Sequence, residues 1–146
     1  MYKRLVVVIP TRNRSDLAIR AANSAFSSAD RDDVSVLISD NSTEPAHSAA
    51  LDSFIASMRA KDLYLVRPCM PLSMTAHWEF AINKALLKSE FSHFVFLTDR
   101  MIFKRESLGV LVAIAKQYPL EILSYSNDQI DDFPPNIRFF PALRSG

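Results

Sequence analysis

Leu5-Val6-Val7-Val8-Ile9-Pro10-Thr11-Arg12-Asn13-Arg14-Ser15-Asp16 opens the first unit of the chain, and Val34-Ser35-Val36-Leu37-Ile38-Ser39-Asp40-Asn41-Ser42 closes it. An apolar run without alternation, Leu5–Ile9, reads as a strand covered on both faces, as in a parallel sheet between helix layers. The run breaks at Pro10, and Leu17, Ala21, Ser24 and Ala25 then follow at helical spacing, small residues suited to close packing on a sheet. A second apolar run, Val34–Ile38, leads to the carboxylate of Asp40. Strand, helix, strand is the unit of a doubly wound α/β domain, with right-handed crossovers. Polar groups therefore gather at the C-terminal ends of two neighbouring strands, the edge where open α/β sheets bind ligands.

The alternation continues. Further apolar runs lie at Leu63–Val66, Phe94–Leu97 and Ile122–Leu123. Helical stripes lie between them at Leu51, Phe54, Ile55 and Met58, at Trp78, Ile82, Ala85 and Leu86, and at Leu108, Leu111, Val112 and Ala115. Ser15 suits the N-cap of the first helix, and Ser42 or Thr43 that of the second, with Pro45 in its first turn. The pattern predicts a three-layer, Rossmann-like α/β domain over residues 1–146, with a mostly parallel sheet of order 3-2-1-4 for the first four strands. After Tyr125 the pattern dissolves into polar residues and Pro134-Pro135. The tail around Phe139 and Phe140 reads as an edge strand or the stump of a longer segment.

Composition narrows the function. Hydrophobic residues make up 49% and charged residues 23%, as in ordinary soluble domains. A formal net charge of +1 argues against a general nucleic-acid binder. The single cysteine, Cys69, excludes an intramolecular disulfide and a cysteine metal cluster, and is compatible with a reducing compartment. No apolar run approaches the ~20 residues that span a bilayer. The apolar start is too short for a signal peptide, and charged residues follow it. A cytoplasmic protein is the expectation. With Gly109 and Gly146 the only glycines, a glycine-rich phosphate cradle is ruled out. His47, His77 and His93 lack metal-ligand spacing and read as structural. Trp78 and Met74 fit a helix packing face, Cys69 sits in a Pro-bracketed loop without a paired base, and Asp131-Asp132 reads as a solvated turn.

The binding edge collects Pro10, Thr11, Arg12, Asn13 and Arg14 from the first strand and Asp40, Asn41 and Ser42 from the second. Arg67 follows the third, and Thr98, Asp99 and Arg100 follow the fourth. Guanidinium forks match a diphosphate. A carboxylate set to one side can accept from a base N–H or a ribose hydroxyl. Each residue alone has an ordinary reading as turn, cap or solvated charge; their coincidence at one edge carries the ligand hypothesis.

Five segments resemble the family-2 glycosyltransferases, enzymes of the GT-A fold that use nucleotide-diphosphate sugars. Val7–Arg14 is similar to the family's opening strand and turn, and Ile38–Ser42 to its second strand and carboxylate. Arg67 and its loop, the helix Trp78–Ala85 and the run Phe94–Arg100 follow in the family's order. The resemblance implies that Asp40 contacts the base, that Thr11, Asn13 and Arg14 line it, and that Arg67 closes over the nucleotide. It also implies that Asp99 belongs to a metal motif holding Mg²⁺ or Mn²⁺ on the diphosphate. That motif is incomplete, because Arg100 and Met101 stand where further acids are expected. One carboxylate with substrate phosphates holds Mg²⁺ in some sites; alternatively, Arg100 is a physically reasonable substitute for the cation.

The implied activity is that of the donor half of an inverting transferase, moving a sugar, UDP-linked by expectation, to an acceptor hydroxyl on a glycan or lipid-linked saccharide. Such reactions serve cell-surface polysaccharide synthesis at the inner face of the membrane. The family's catalytic base and acceptor region are expected beyond Gly146. A non-catalytic nucleotide-sugar-binding module or pseudoenzyme is the alternative. A nucleotidyltransferase is a weaker third reading, lacking the glycine-rich basic loop.

Overall fold

A computed structural model describes residues 2–117, 121–125 and 137–141. Its elements run β1 (Leu5–Thr11), α1 (Ser15–Ser28), β2 (Val34–Asp40), α2 (Pro45–Ala56), β3 (Leu63–Val66), α3 (Met74–Leu86), β4 (His93–Phe96), α4 (Ser107–Gln117), β5 (Glu121–Tyr125) and β6 (Ile137–Pro141). The first four strands form one sheet, ordered β3-β2-β1-β4 and parallel throughout. The predicted fold class and strand order both hold.

Two apolar layers enclose the sheet, and the side-chain period of two along a strand assigns residues to each. Leu5, Val7 and Ile9 of β1 join Val34, Val36 and Ile38 of β2 beneath α1, α2 and α4. Val6, Val8 and Leu37 pack on the opposite face against Ala81 and Ala85 of α3. Every residue of β1 and β2 is buried, which explains their unalternating sequences.

Two helix stripes differ from expectation. On α1 the buried face is Ala18, Ala21, Ala22 and Ala25, and Leu17 lies at its margin. On α3 it is His77, Ala81 and Ala85, whereas Trp78 and Leu86 are exposed. The α4 stripe falls as expected on Leu108, Leu111, Val112 and Ala115.

The expected caps also move. Ser15 is the first residue of α1 and Arg14 its N-cap, with no side-chain cap bond. Glu44 is the N-cap of α2, with Pro45 in its first turn. The acceptors come instead from other segments. His47 Nδ1 accepts from the Ser15 N–H at 3.3 Å. Asn13 Oδ1 accepts from the Thr43 and Glu44 N–H groups at 2.9 and 3.0 Å. Asn13 does so from a backbone φ of 53°, a left-handed conformation that asparagine tolerates better than most residues.

The Ile122–Leu123 run does not extend the parallel sheet. It lies in β5, which pairs antiparallel with β6 as a separate two-stranded sheet. A parallel partner needs a crossover of a dozen or more residues, and the segment between Tyr125 and Ile137 is shorter than that. Phe139 and Phe140 lie in β6, while Asp131-Asp132 falls outside the described residues. No helix among the described residues is long and apolar enough to cross a membrane.

Candidate functional site

The chain leaves β1 for β2 on one side and reaches β4 on the other, so β1 and β4 flank the topological switch point of the sheet. Pro10 marks where they part. Val8 C=O accepts from Leu97 N–H and Thr11 C=O from Asn41 N–H, so alternate β1 residues direct their backbone groups to β4 and to β2. Pro10 falls on the β4 side, beyond the last β1–β4 pair at Val8 and Phe96, where its lack of an N–H costs no ladder bond. A cleft of about 400 Å³ opens there, lined by Pro10, Thr11, Arg12, Arg14, Asn41, Leu72, Met74, His77, Trp78, Thr98, Asp99 and Arg100.

Asp99 is one of its lining residues. Met101 N–H donates to Thr98 C=O at 3.0 Å, closing a tight turn after β4. The turn buries the Asp99 side chain to 2% exposure and leaves Arg100 exposed. Thr11 Oγ1 and Arg14 Nε each donate to Asp99 Oδ2 at 2.8 Å. The same carboxylate oxygen thus ties the end of β1 to the turn after β4. Arg100 makes no ion pair among the described residues, with Glu106 or otherwise, and Arg12 has only a 3.5 Å contact from Nη1 to Leu72 C=O.

The β2 end divides into two layers. Asn41 faces the cleft and clamps the loop before α3, donating from Nδ2 to Leu72 C=O and accepting at Oδ1 from Leu72 N–H, both at 2.9 Å. Asp40 stands behind it with a wholly buried side chain. Asp40 Oδ1 accepts from Ser42 N–H, and Oδ2 accepts from Ser48 Oγ and Arg67 Nε, all at 2.9 Å. Burial acts to raise the Asp40 pKa, but the bonds from Ser42, Arg67 and Ser48 outweigh it and hold the carboxyl below its ordinary range. Arg67 also donates to Asp52 Oδ1 at 2.9 Å. Ser42 Oγ accepts from Asn13 N–H at 2.9 Å.

Of the residues expected at the site, the fold brings Pro10, Thr11, Arg14, Asn41, Thr98, Asp99 and Arg100 to the cleft wall. It places Asn13, Asp40, Ser42 and Arg67 in the supporting frame. Sequence reasoning assigned Trp78 and Met74 to packing and missed them as lining. Trp78 is 37% and Met74 67% exposed, and Trp78 packs on Phe96 with ring centroids 4.9 Å apart. His77 was likewise read as structural. It lines the cleft while its Nε2 lies 2.8 Å from Ser39 Oγ, and burial holds its pKa below the usual histidine value.

The donor set fits a divalent cation poorly. No cluster of three or more His, Cys, Asp or Glu side chains forms among the described residues. The one carboxylate at the cleft among the described residues already accepts from a guanidinium. Mg²⁺ sites of this kind use one or two carboxylates together with substrate phosphates, so the fit turns on the bond that Arg14 already makes to Asp99. Cys69 is exposed and outside the cleft.

No protein-family model matches the sequence, and no curated protein matches it. Solved structures are similar to it. TarS of S. aureus is 16% identical with a TM-score of 0.61, over 82% of this chain and 20% of that one. TarS 1–349 in complex with UDP is 14% identical with a TM-score of 0.61, over 82% and 34%. The mannosyltransferase PcManGT from Pyrobaculum calidifontis, in complex with GDP-Man and Mn²⁺, is 18% identical with a TM-score of 0.62, over 79% and 33%. This chain therefore spans a fifth to a third of the length of those proteins. At such identities the likeness is one of fold.

Proposed function

We propose that the chain binds a nucleoside-diphosphate sugar in the β1–β4 cleft and acts as the donor half of a family-2-like, inverting glycosyltransferase. The observation that carries this reading is the convergence of Arg12, Arg14 and Arg100 with an apolar wall of Leu72, Met74 and Trp78 at the switch point. Arginines suit the diphosphate, and the apolar wall suits a base or sugar face. Thr11, Asn41 and Thr98 supply neutral hydrogen-bonding groups. Asn13, Asp40, Ser42 and Arg67 hold the frame, and Asp40 acts on the ligand through Asn41 and its loop. A UDP-linked donor follows from the sequence resemblance; the similar structures carry UDP in one case and GDP-Man in another.

In the reaction the acceptor hydroxyl oxygen bonds to the anomeric carbon as the bond to the diphosphate oxygen breaks. The nucleoside diphosphate leaves with the electron pair, and the hydroxyl proton passes to a carboxylate. The cleft arginines stabilise the charge that develops on the leaving diphosphate. The base belongs, on this reading, to the acceptor-binding half.

One observation favours the second reading, a non-catalytic binding module. Among the described residues the only carboxylate at the cleft is Asp99, and it is committed to hydrogen bonds from Arg14 and Thr11. Calorimetry of the full chain with UDP, GDP, dTDP and their sugars tests the common core of both readings. Binding of one of these ligands is expected, and a folded sample that binds none overturns the site. Transfer to an added acceptor, or hydrolysis of the bound sugar, then separates enzyme from module.

A further inference from the structure

We propose that the cleft holds the diphosphate with its arginines and without a divalent cation, and that Asp99 is the anchor of Arg14 rather than a metal ligand. This rests on the nucleotide-sugar reading and specifies how that site meets the charge of its ligand.

Among the described residues Asp99 accepts two side-chain hydrogen bonds on Oδ2, one from Thr11 Oγ1 and one from Arg14 Nε, each at 2.8 Å. A cation on the same carboxylate would lie beside the Arg14 guanidinium, with Arg100 on the adjacent residue. Like charges at such range repel strongly in a partly buried site. Among the described residues no second carboxylate lines the cleft to offset them, and His77 Nε2 is engaged by Ser39 Oγ.

The charge already present suffices. Among the described lining residues, three guanidinium groups against one carboxylate leave two positive charges in excess. A nucleoside-diphosphate sugar carries two negative charges at its diphosphate. Arg14 is the preorganised member, fixed by Asp99 with its side chain still 39% exposed. Arg12 and Arg100 make no ion pair among the described residues, so neither gives one up when an anion arrives.

Asp99 therefore has opposite effects under the two possibilities. As a metal ligand it strengthens diphosphate binding, and Asp99→Asn abolishes it. As the anchor of Arg14 it partly neutralises the guanidinium. Asp99→Asn then keeps an oxygen that can accept from Thr11 and Arg14 and removes the negative charge.

Trp78, the only tryptophan of the chain, lines the cleft and reports binding by fluorescence. The full chain is titrated with UDP, GDP and dTDP in excess EDTA and again in Mn²⁺, with thermal melts confirming that each variant is folded. For the nucleotide that binds, Kd is expected to agree within about threefold between the two conditions. Arg100→Gln, an exposed substitution, weakens binding about tenfold in both, of the order that one charge-assisted hydrogen bond contributes. Asp99→Asn tightens binding about threefold in EDTA, in line with a modest screened charge effect. Binding that appears only with Mn²⁺, or that Asp99→Asn abolishes in a folded protein, overturns the proposal and leaves the nucleotide site standing. Absence of binding in every arm overturns the nucleotide site itself, and this proposal with it.

Discussion

Arg67 Nε lies 2.9 Å from Asp40 Oδ2, joining the residue after β3 to the last residue of β2. Burial acts to raise the Asp40 pKa, and the donors Ser42, Arg67 and Ser48 lower it further than burial raises it. A carboxyl with a depressed folded pKa contributes stability above its unfolded value of ~3.9 and loses it as pH falls through the folded value. Urea unfolding from pH 6 to pH 2.5 should therefore show an acid loss of stability that Asp40→Asn reduces. Arg67→Ala should cost about 1.5–3 kcal/mol at pH 7, the range for a hydrogen bond to a charged group. An unchanged urea midpoint would mean that the pair is idle.

His77 carries the opposite charge type. Burial, the largest influence, lowers its pKa, so the folded state keeps it neutral where the unfolded chain takes up a proton. Stability is then full above the unfolded value of ~6.5 and declines as pH falls toward the folded value. Between pH 7.5 and 5, wild type should lose more stability than His77→Gln, by about 1.4 kcal/mol for each unit of pKa depression. Parallel pH profiles would remove His77 as the source.

Asn13 combines a left-handed backbone with acceptance from Thr43 and Glu44 N–H. Asn13→Ala forfeits the acceptor and strains the backbone, and should cost about 2–3 kcal/mol in chemical denaturation. Asn13→Asp keeps the acceptor oxygen and should cost about 1 kcal/mol or less. Equal losses in the two variants would show that the cap contributes nothing.

Ser28 and Gly109 fasten α1 to α4. Ser28 Oγ accepts from the Leu108 N–H at 2.9 Å and donates to Lys104 C=O at 2.8 Å. A Cβ on Gly109 would lie 3.3 Å from the Ser28 carbonyl oxygen. Ser28→Ala leaves a buried N–H unpaired and should cost about 1–3 kcal/mol. Gly109→Ala sets a helix-propensity gain of about 1 kcal/mol against that crowding and should be near neutral. Gly109→Val should destabilise by about 1–3 kcal/mol. A valine variant melting with wild type would show that the two helices separate at no cost.

The strands were legible because burial on both faces writes itself into consecutive apolar residues, as in Val6, Val7 and Val8. Strand order followed from the alternation of elements, which also set the candidate edge. The caps were not legible. Asn13 and His47 supply their acceptors from about thirty residues away, and local hydroxyls at Ser15, Ser42 and Thr43 imitate a cap in sequence. Trp78 was misread for a related reason: an aromatic at helical spacing looks like core, and only the register of α3 shows that His77, Ala81 and Ala85 take the buried face. Asp40 and Asn41 could not be separated by spacing, yet one faces the frame and the other the cleft.

Leu5 pairs with Val34 on one side and with His93 on the other. The β4 partner of β1 thus emerges from the ribosome 88 residues after it. At a synthesis rate of roughly 5–20 residues per second, that interval lasts about 4–18 s. Over this time β1 can acquire β2 from nearby in the chain while its other hydrogen-bonding edge stays open. Val6 and Val8, buried in the finished sheet, face that edge and stay unpaired on it until β4 arrives. Conditions that slow the arrival of β4 should therefore lower the soluble yield before any change in the finished fold can be detected.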